Sequence, residues 1–210
     1  MPYQNKVDPW GNLNAVKSRG MFLGNRGVLH NEHQEIIASH RIKGWVTCLL
    51  EFKDRKRKIM TPKRYTELFF LDEATAFSAG HRPCAECRRK RYNDFKEKWL
   101  EANGEKLQGK KTTAPNMDNI IHEERISKKQ KVTYTSALGS LPDGTMIDIN
   151  SKAYLICESN LFEWSFSGYS ESDLDFTLED EVIVLTPLSY VKTFSKGFIP
   201  EIHESIKKVS

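Results

Sequence analysis

The chain has 210 residues, 39% hydrophobic and 29% charged, with a formal net charge of +4. That content suffices for an ordinary core in one large domain or two small ones. No apolar run approaches the roughly 20 residues that cross a bilayer, and residues 1–20 lack the apolar centre of a secretory signal. A membrane partner is therefore not expected, and a cytoplasmic setting is. The four cysteines, Cys48, Cys84, Cys87 and Cys157, read as a metal protein's complement rather than a disulfide framework.

Charge is distributed unevenly. Residues 1–135 carry 27 Lys+Arg against 16 Asp+Glu, whereas residues 136–210 carry 5 against 12. This division predicts a basic section with an N-terminal arm over 1–135, able to attract polyanions by counterion release, and an acidic lobe over 136–210. The two are also compatible with one continuous domain.

In chain order, the scattered glycines of residues 1–29 predict an irregular arm. Trp45 to Phe52 is rich in β-branched and aromatic residues and predicts a strand, turned back at Asp54-Arg55-Lys56 into a short strand through Ile59 and Met60. Tyr65 to Leu71 predicts another strand, and Asp72 caps a helix over Glu73–Ala79 that Gly80 ends. Tyr92, Phe95 and Trp99 recur at helical spacing and give residues 85–103 an aromatic face with a basic opposite face. Asp118 is expected to cap a short helix through Ile126, and Leu141 to Thr145 to form a turn. Ala153–Cys157, Leu161–Phe166 and Val182–Thr186 predict the strands of a small β-rich lobe. The expected fold class is α+β: a zinc-stabilised strand-hairpin-helix section joined to that C-terminal lobe.

The run Gly80-His81-Arg82-Pro83-Cys84-Ala85-Glu86-Cys87-Arg88-Arg89 carries the most explicit chemistry. Zinc favours thiolate and imidazole ligands in a tetrahedron, and Cys-x-x-Cys at a turn entering a helix lets both sulfurs face one ion. Cys84 and Cys87 are thus candidate zinc ligands. Cys48, His81 and His30 are the candidates to complete the set, with His33 and His40 also nearby in sequence. Cys157, in an apolar strand, reads as core.

The run from Glu67 to Cys87 resembles the second half of the zinc-binding domain of the Ada DNA-repair proteins. In both, a strand ending in aromatic residues enters an Ala-rich helix and then a Gly-x-Arg-Pro-Cys-x-x-Cys turn. The resemblance covers about 25 residues. It implies zinc ligation by Cys84 and Cys87 and an upstream partner near Cys48. In that family four thiolates hold the ion, and one of the first pair accepts a methyl group from a DNA phosphotriester. The family's first pair is Cys-x-x-x-Cys, whereas Cys48 is followed by Leu49-Leu50-Glu51-Phe52.

Two enzymatic patterns also occur. His30-Asn31-Glu32 with Pro83-Cys84-Ala85-Glu86-Cys87 satisfies the zinc-deaminase pattern, in which Glu32 shuttles protons. His122-Glu123-Glu124-Arg125 places an imidazole beside carboxylates, so His122 and Glu123 are further acid–base candidates, although i, i+3 and i, i+4 pairing on a helix explains them equally. Gly24-Asn25-Arg26-Gly27 is a short glycine-bounded turn able to present N–H groups to a phosphate.

The nucleic-acid surface is expected from Lys53, Arg55, Lys56, Arg57 and Lys58 on the hairpin tip together with Arg88, Arg89 and Arg91 after the cysteine turn. The leading reading is a DNA- or RNA-binding protein of repair, processing or defence with a structural zinc. The alternatives are a zinc-dependent hydrolase or deaminase acting on a nucleotide or nucleic acid, and a protein-interaction module.

Overall fold

The computed structural model describes residues 1–53 and 58–208, and the fold they form is α+β. The N-terminal sheet contains β1 (Lys6–Val7), β2 (Leu13–Asn14), β3 (Phe22–Asn25), β4 (Val46–Cys48), β5 (Leu68–Phe70) and β6 (Arg82–Pro83), in the order β2-β1-β5-β3-β4-β6. β3 lies antiparallel between β5 and β4, and β6 runs parallel to β4.

Strand alternation divides this sheet chemically. Phe22, Leu68 and Phe70 bury themselves with Val7 and Leu29 in a core, while Leu23, Phe69 and Cys48 share one register row. That row takes the opposite parity, so it lies on the other face.

The expectation of an irregular arm over residues 1–29 is corrected, because β3 is an interior strand. Its partners come from β4 and β5, long-range pairing that local composition does not announce. Trp45–Phe52 forms strand only at Val46–Cys48, and residues 59 and 60 form a turn rather than a strand. The expected turn at Asp54-Arg55-Lys56 lies outside the described residues.

Helix α1 (Glu73–Ser78) begins as its sequence predicts: the Asp72 carboxylate accepts bonds from the Thr75 amide at 2.8 Å and the Thr75 hydroxyl at 2.6 Å. Gly80 follows with φ of 83°, and a Cβ there would meet the Arg125 side chain at 2.5 Å, so the turn requires glycine. Helix α2 (Arg89–Asn103) buries Tyr92, Phe95 and Trp99. It starts later than expected because residues 84–88 are a turn. Helix α3 (Ala114–Arg125) is capped by Thr113, with proline in its first turn. Asp118 is not the cap; it lies within the helix, where its carboxylate takes both Nε and Nη2 of Arg82 at 2.7 Å.

After a short hairpin of β7 (Ile126–Ser127) and β8 (Gln130–Lys131) comes the second sheet. Its strands are β9 (Tyr134–Ala137), β10 (Met146–Ile149), β11 (Lys152–Cys157), β12 (Asn160–Ser165), β13 (Gly168–Glu171) and β14 (Glu181–Val184), in the order β13-β12-β11-β10-β14-β9. Helix α4 (Leu188–Phe194) follows. Three two-residue turns, Lys128-Lys129, Asn150-Ser151 and Glu158-Ser159, hold left-handed φ values of 48° to 67° without any glycine, which hides these hairpins from composition.

The aromatic core joins Phe77, Phe95 and Trp99 to Tyr190, Phe194 and Phe198, and a second core joins Leu71 and Ala74 to Met146, Leu155 and Leu185. Both cores draw residues from either side of the 135/136 division. Among the described residues no helix is long and apolar enough to cross a membrane.

Candidate metal centre

Two parallel strands bring the cysteines together. β4 and β6 pair with Thr47 opposite Pro83, so Cys48 and Cys84 follow at neighbouring positions, and the Cys84 amide donates to the Thr47 carbonyl at 2.9 Å. The chain then turns: the Arg88 amide reaches back to the Cys84 carbonyl at 3.1 Å, and the Glu86 amide donates to Cys84 Sγ at 3.4 Å. This returns Cys87 to the same point. The sulfurs of Cys48, Cys84 and Cys87 lie within 4.8 Å of one another. A tetrahedral ion with bonds of about 2.3 Å needs sulfurs about 3.8 Å apart, and the donor set fits such an ion.

Electrostatics within the cluster support the same use. Hydrogen bonding from Cys48 brings the Cys84 thiol down to about 5, while the Cys48 thiol is raised by that same bond and by burial. Burial raises Cys87 against the opposing bond from the Leu49 amide. Three thiolates at this separation require a cation among them.

A cleft of about 460 Å³ adjoins the cluster, walled by Leu23, Leu50, Ile59 and Phe69 and containing Glu67. Glu67 is buried; its Oε2 accepts the Met60 amide at 2.8 Å, and its Oε1 has no hydrogen-bond partner among the described residues. Sequence reasoning passed over Glu67 because it sits inside an apolar strand run. A carboxylate alternating with Phe69 was the available signal. Among the described residues no fourth His, Cys, Asp or Glu joins the three sulfurs.

The histidine candidates lie elsewhere. His81 is fully buried, accepts Arg26 Nε at 3.1 Å and packs against Phe70 and Trp45. His30 is buried with its ring nitrogens against Thr66 Oγ1 at 2.7 Å and the Thr61 carbonyl at 3.2 Å. Neither belongs to the sulfur cluster, because packing and these bonds hold each ring in place. His33 and Glu32 are exposed, so the His-x-Glu half of the deaminase pattern is not brought to the cysteines. His40 and His122 meet edge to face at 5.2 Å between centroids, Glu123 is exposed, and Glu124 holds Lys106. Cys157 lies in β11, outside the cluster.

The basic candidates separate in the same way. Arg88 is buried, with ion pairs to Glu73 at 2.8 Å and Glu201 at 2.6 Å, and Arg91 binds Glu73 at 2.6 Å. These two guanidinium groups neutralise a buried carboxylate and so are not offered to a phosphate backbone. Arg89 and Lys58 are exposed, and Lys53 lies 3.9 Å from Glu86. Arg55, Lys56 and Arg57 lie outside the described residues. Comparison of the chain with protein-family models, curated proteins and solved structures gives no match.

Proposed function

We propose that this chain is a zinc protein whose ion is held by Cys48, Cys84 and Cys87 with its fourth position open to the adjacent cleft. On this reading it is a zinc-dependent hydrolase or deaminase acting on a nucleotide or nucleic acid. The observation that carries the proposal is a three-sulfur cluster with a cleft beside it. Structural zinc sites close with four protein ligands, whereas catalytic sites keep one position for water or substrate. When bound, the ion supplies a Lewis-acidic position at which water is acidified or a substrate oxygen polarised.

The chain's own residues supply the remainder. Cys48, Cys84 and Cys87 fix the ion at one end of the cleft. Leu23, Ile59 and Phe69 give a bound substrate apolar contact, beside the exposed carboxylates of Glu51 and Glu86 in the same lining. Glu67, with Oε2 held by the Met60 amide and Oε1 without a partner among the described residues, would take a proton from the attacking water and return it to the leaving group. The nucleotide class is supported by the excess of Lys and Arg in residues 1–135 and by the exposed cations Lys58, Arg89 and Lys90.

Cobalt substitution tests the open position. The cobalt protein should bind about one ion per chain, show sulfur-to-metal charge-transfer bands and change its visible spectrum when azide is added. A spectrum unmoved by saturating azide means that a protein group fills the fourth position, and the catalytic reading fails. Such a result favours an Ada-like structural zinc in a nucleic-acid-binding protein. The succession of β5, α1 and the cysteine turn supports that second reading.

A further inference from the structure

On another part of the N-terminal sheet, a cavity of about 550 Å³ is lined by Arg26, Arg125, Lys129 and Lys131 and by no Asp or Glu. It shares no lining residue with the cysteine cleft. Arg26 and Arg125 are only 2% and 3% exposed, and none of the four cations has an ion-pair partner among the described residues. Burying like charges together without a counter-ion is costly, and proteins retain such clusters where an anion completes them.

The donors are held in position. Arg26 gives Nε to His81 at 3.1 Å and Nη1 to the Gly11 carbonyl at 2.9 Å, which leaves Nη2 buried and without a hydrogen-bond partner among the described residues. A Cβ on Gly11, itself part of the cavity wall, would lie 3.6 Å from that Nη2. Arg125 gives Nη1 to the Gly80 carbonyl at 2.8 Å and Nη2 to the Lys43 carbonyl, with His122 Nδ1 also 3.0 Å from Nη2, and its buried Nε has no partner among the described residues. Both guanidinium groups lie over the Trp45 ring, 4.2 and 3.9 Å from its centroid. Lys131 donates one Nζ proton to the Ser78 carbonyl at 2.6 Å and retains two more.

The nearby carboxylate, Asp8, offsets only part of this charge: it favours the protonated forms of Arg26 and Lys131, but the pKa of each stays lowered. Asp8 is taken up by the Asn12 amide at 2.9 Å and by the side chains of Asn12 and Asn14 at 3.2 and 3.0 Å. Burial and mutual repulsion lower Arg26 to about 9, and burial with the charge of Arg26 lowers Lys131 to about 7. A dianion in the cavity would relieve both effects.

We propose that this cavity is a binding site for the phosphate group of a small phosphomonoester, with Arg26, Arg125 and Lys131 as its donors. The volume falls within the range of small-molecule pockets, and Trp10, Leu13 and Ile36 give it apolar wall for the organic part of the ligand. Phosphate matches the donor set because forked guanidinium groups and a point-charge ammonium are both phosphate binders. The assignment is independent of the cysteine cluster.

Calorimetric titration of the full chain at constant ionic strength provides the test, with inorganic phosphate, ribose 5-phosphate and citrate as probes. Saturable one-to-one binding of ribose 5-phosphate, tighter than citrate, is expected. Lys131→Gln should weaken it by about tenfold or more, as loss of a charged hydrogen bond does. Lys129→Glu, a change at an exposed rim residue, should weaken it as well and serves if Lys131→Gln fails to fold. No saturable binding, an affinity untouched by these changes, or citrate binding as tightly as the phosphates overturns the proposal. Binding of inorganic phosphate alone, without the ester, would reduce the site to an adventitious ion only and overturn it equally.

Discussion

Cys48, Cys84 and Cys87 show how much one side chain's meaning depends on its neighbours. Each is only half-buried, and what distinguishes them from Cys157 is the proximity of two other sulfurs. The consequence is measurable by metal analysis of the purified protein. Serine at any of the three positions should lower zinc affinity by more than the roughly 10–100-fold that loss of an outer partner costs, whereas Cys157→Ser should retain about one ion per chain. Full zinc retention in Cys48→Ser would remove that residue from the ligand set. Cys84 and Cys87 were legible in the sequence because ligand spacing is local. Glu67 was not, since its burial, with Oε1 unpartnered among the described residues, is a property of the packing around it.

Between elements, buried ion pairs fix where strands and helices meet. Arg82 on β6 and Asp118 on α3 form a two-point pair with side chains 6% and 8% exposed. It locks the strand leading to Cys84 against a helix 36 residues away in sequence. Asp118→Ala leaves a buried guanidinium unpaired and should cost about 3–5 kcal/mol of folding stability, read from urea unfolding midpoints; a loss below about 1 kcal/mol would mean that solvent already serves Arg82. Glu73 has the same role at the start of α1, where its fully buried carboxylate gathers Arg88 and Arg91. These pairs explain why the basic run after the cysteines is not one continuous surface. Sequence distinguishes a charged residue from an apolar one, but the choice between solvent and a buried partner is made by elements far apart in the chain.

Across the whole molecule, the fully buried imidazole of His81 couples folding to pH. Burial, followed by the charges of Arg26 and Arg125, holds its pKa well below the ordinary value of 6.5. The same charges and burial lower His40, and burial and Arg125 bring His122 down to about 4. The unfolded chain therefore takes up protons near pH 6.5 that the folded chain refuses, so stability falls as the pH drops below about 6.5. For His81 alone the slope is about 1.4 kcal/mol per pH unit. His81→Gln should flatten the difference between urea midpoints measured near pH 7 and pH 5; an unchanged difference would show that another group carries the dependence. The α+β class, the capped helix α1, the aromatic face of α2 and the Cys84–Cys87 turn are legible in the amino-acid order, because each follows from periodicity or spacing within a few residues. That Cys48 joins them, that Arg88 and Arg91 turn inward, and that Arg26, Arg125 and Lys131 meet at one cavity emerges from the folded chain. Those outcomes depend on strand register and on the burial of charge, both set by contacts between residues distant in the chain.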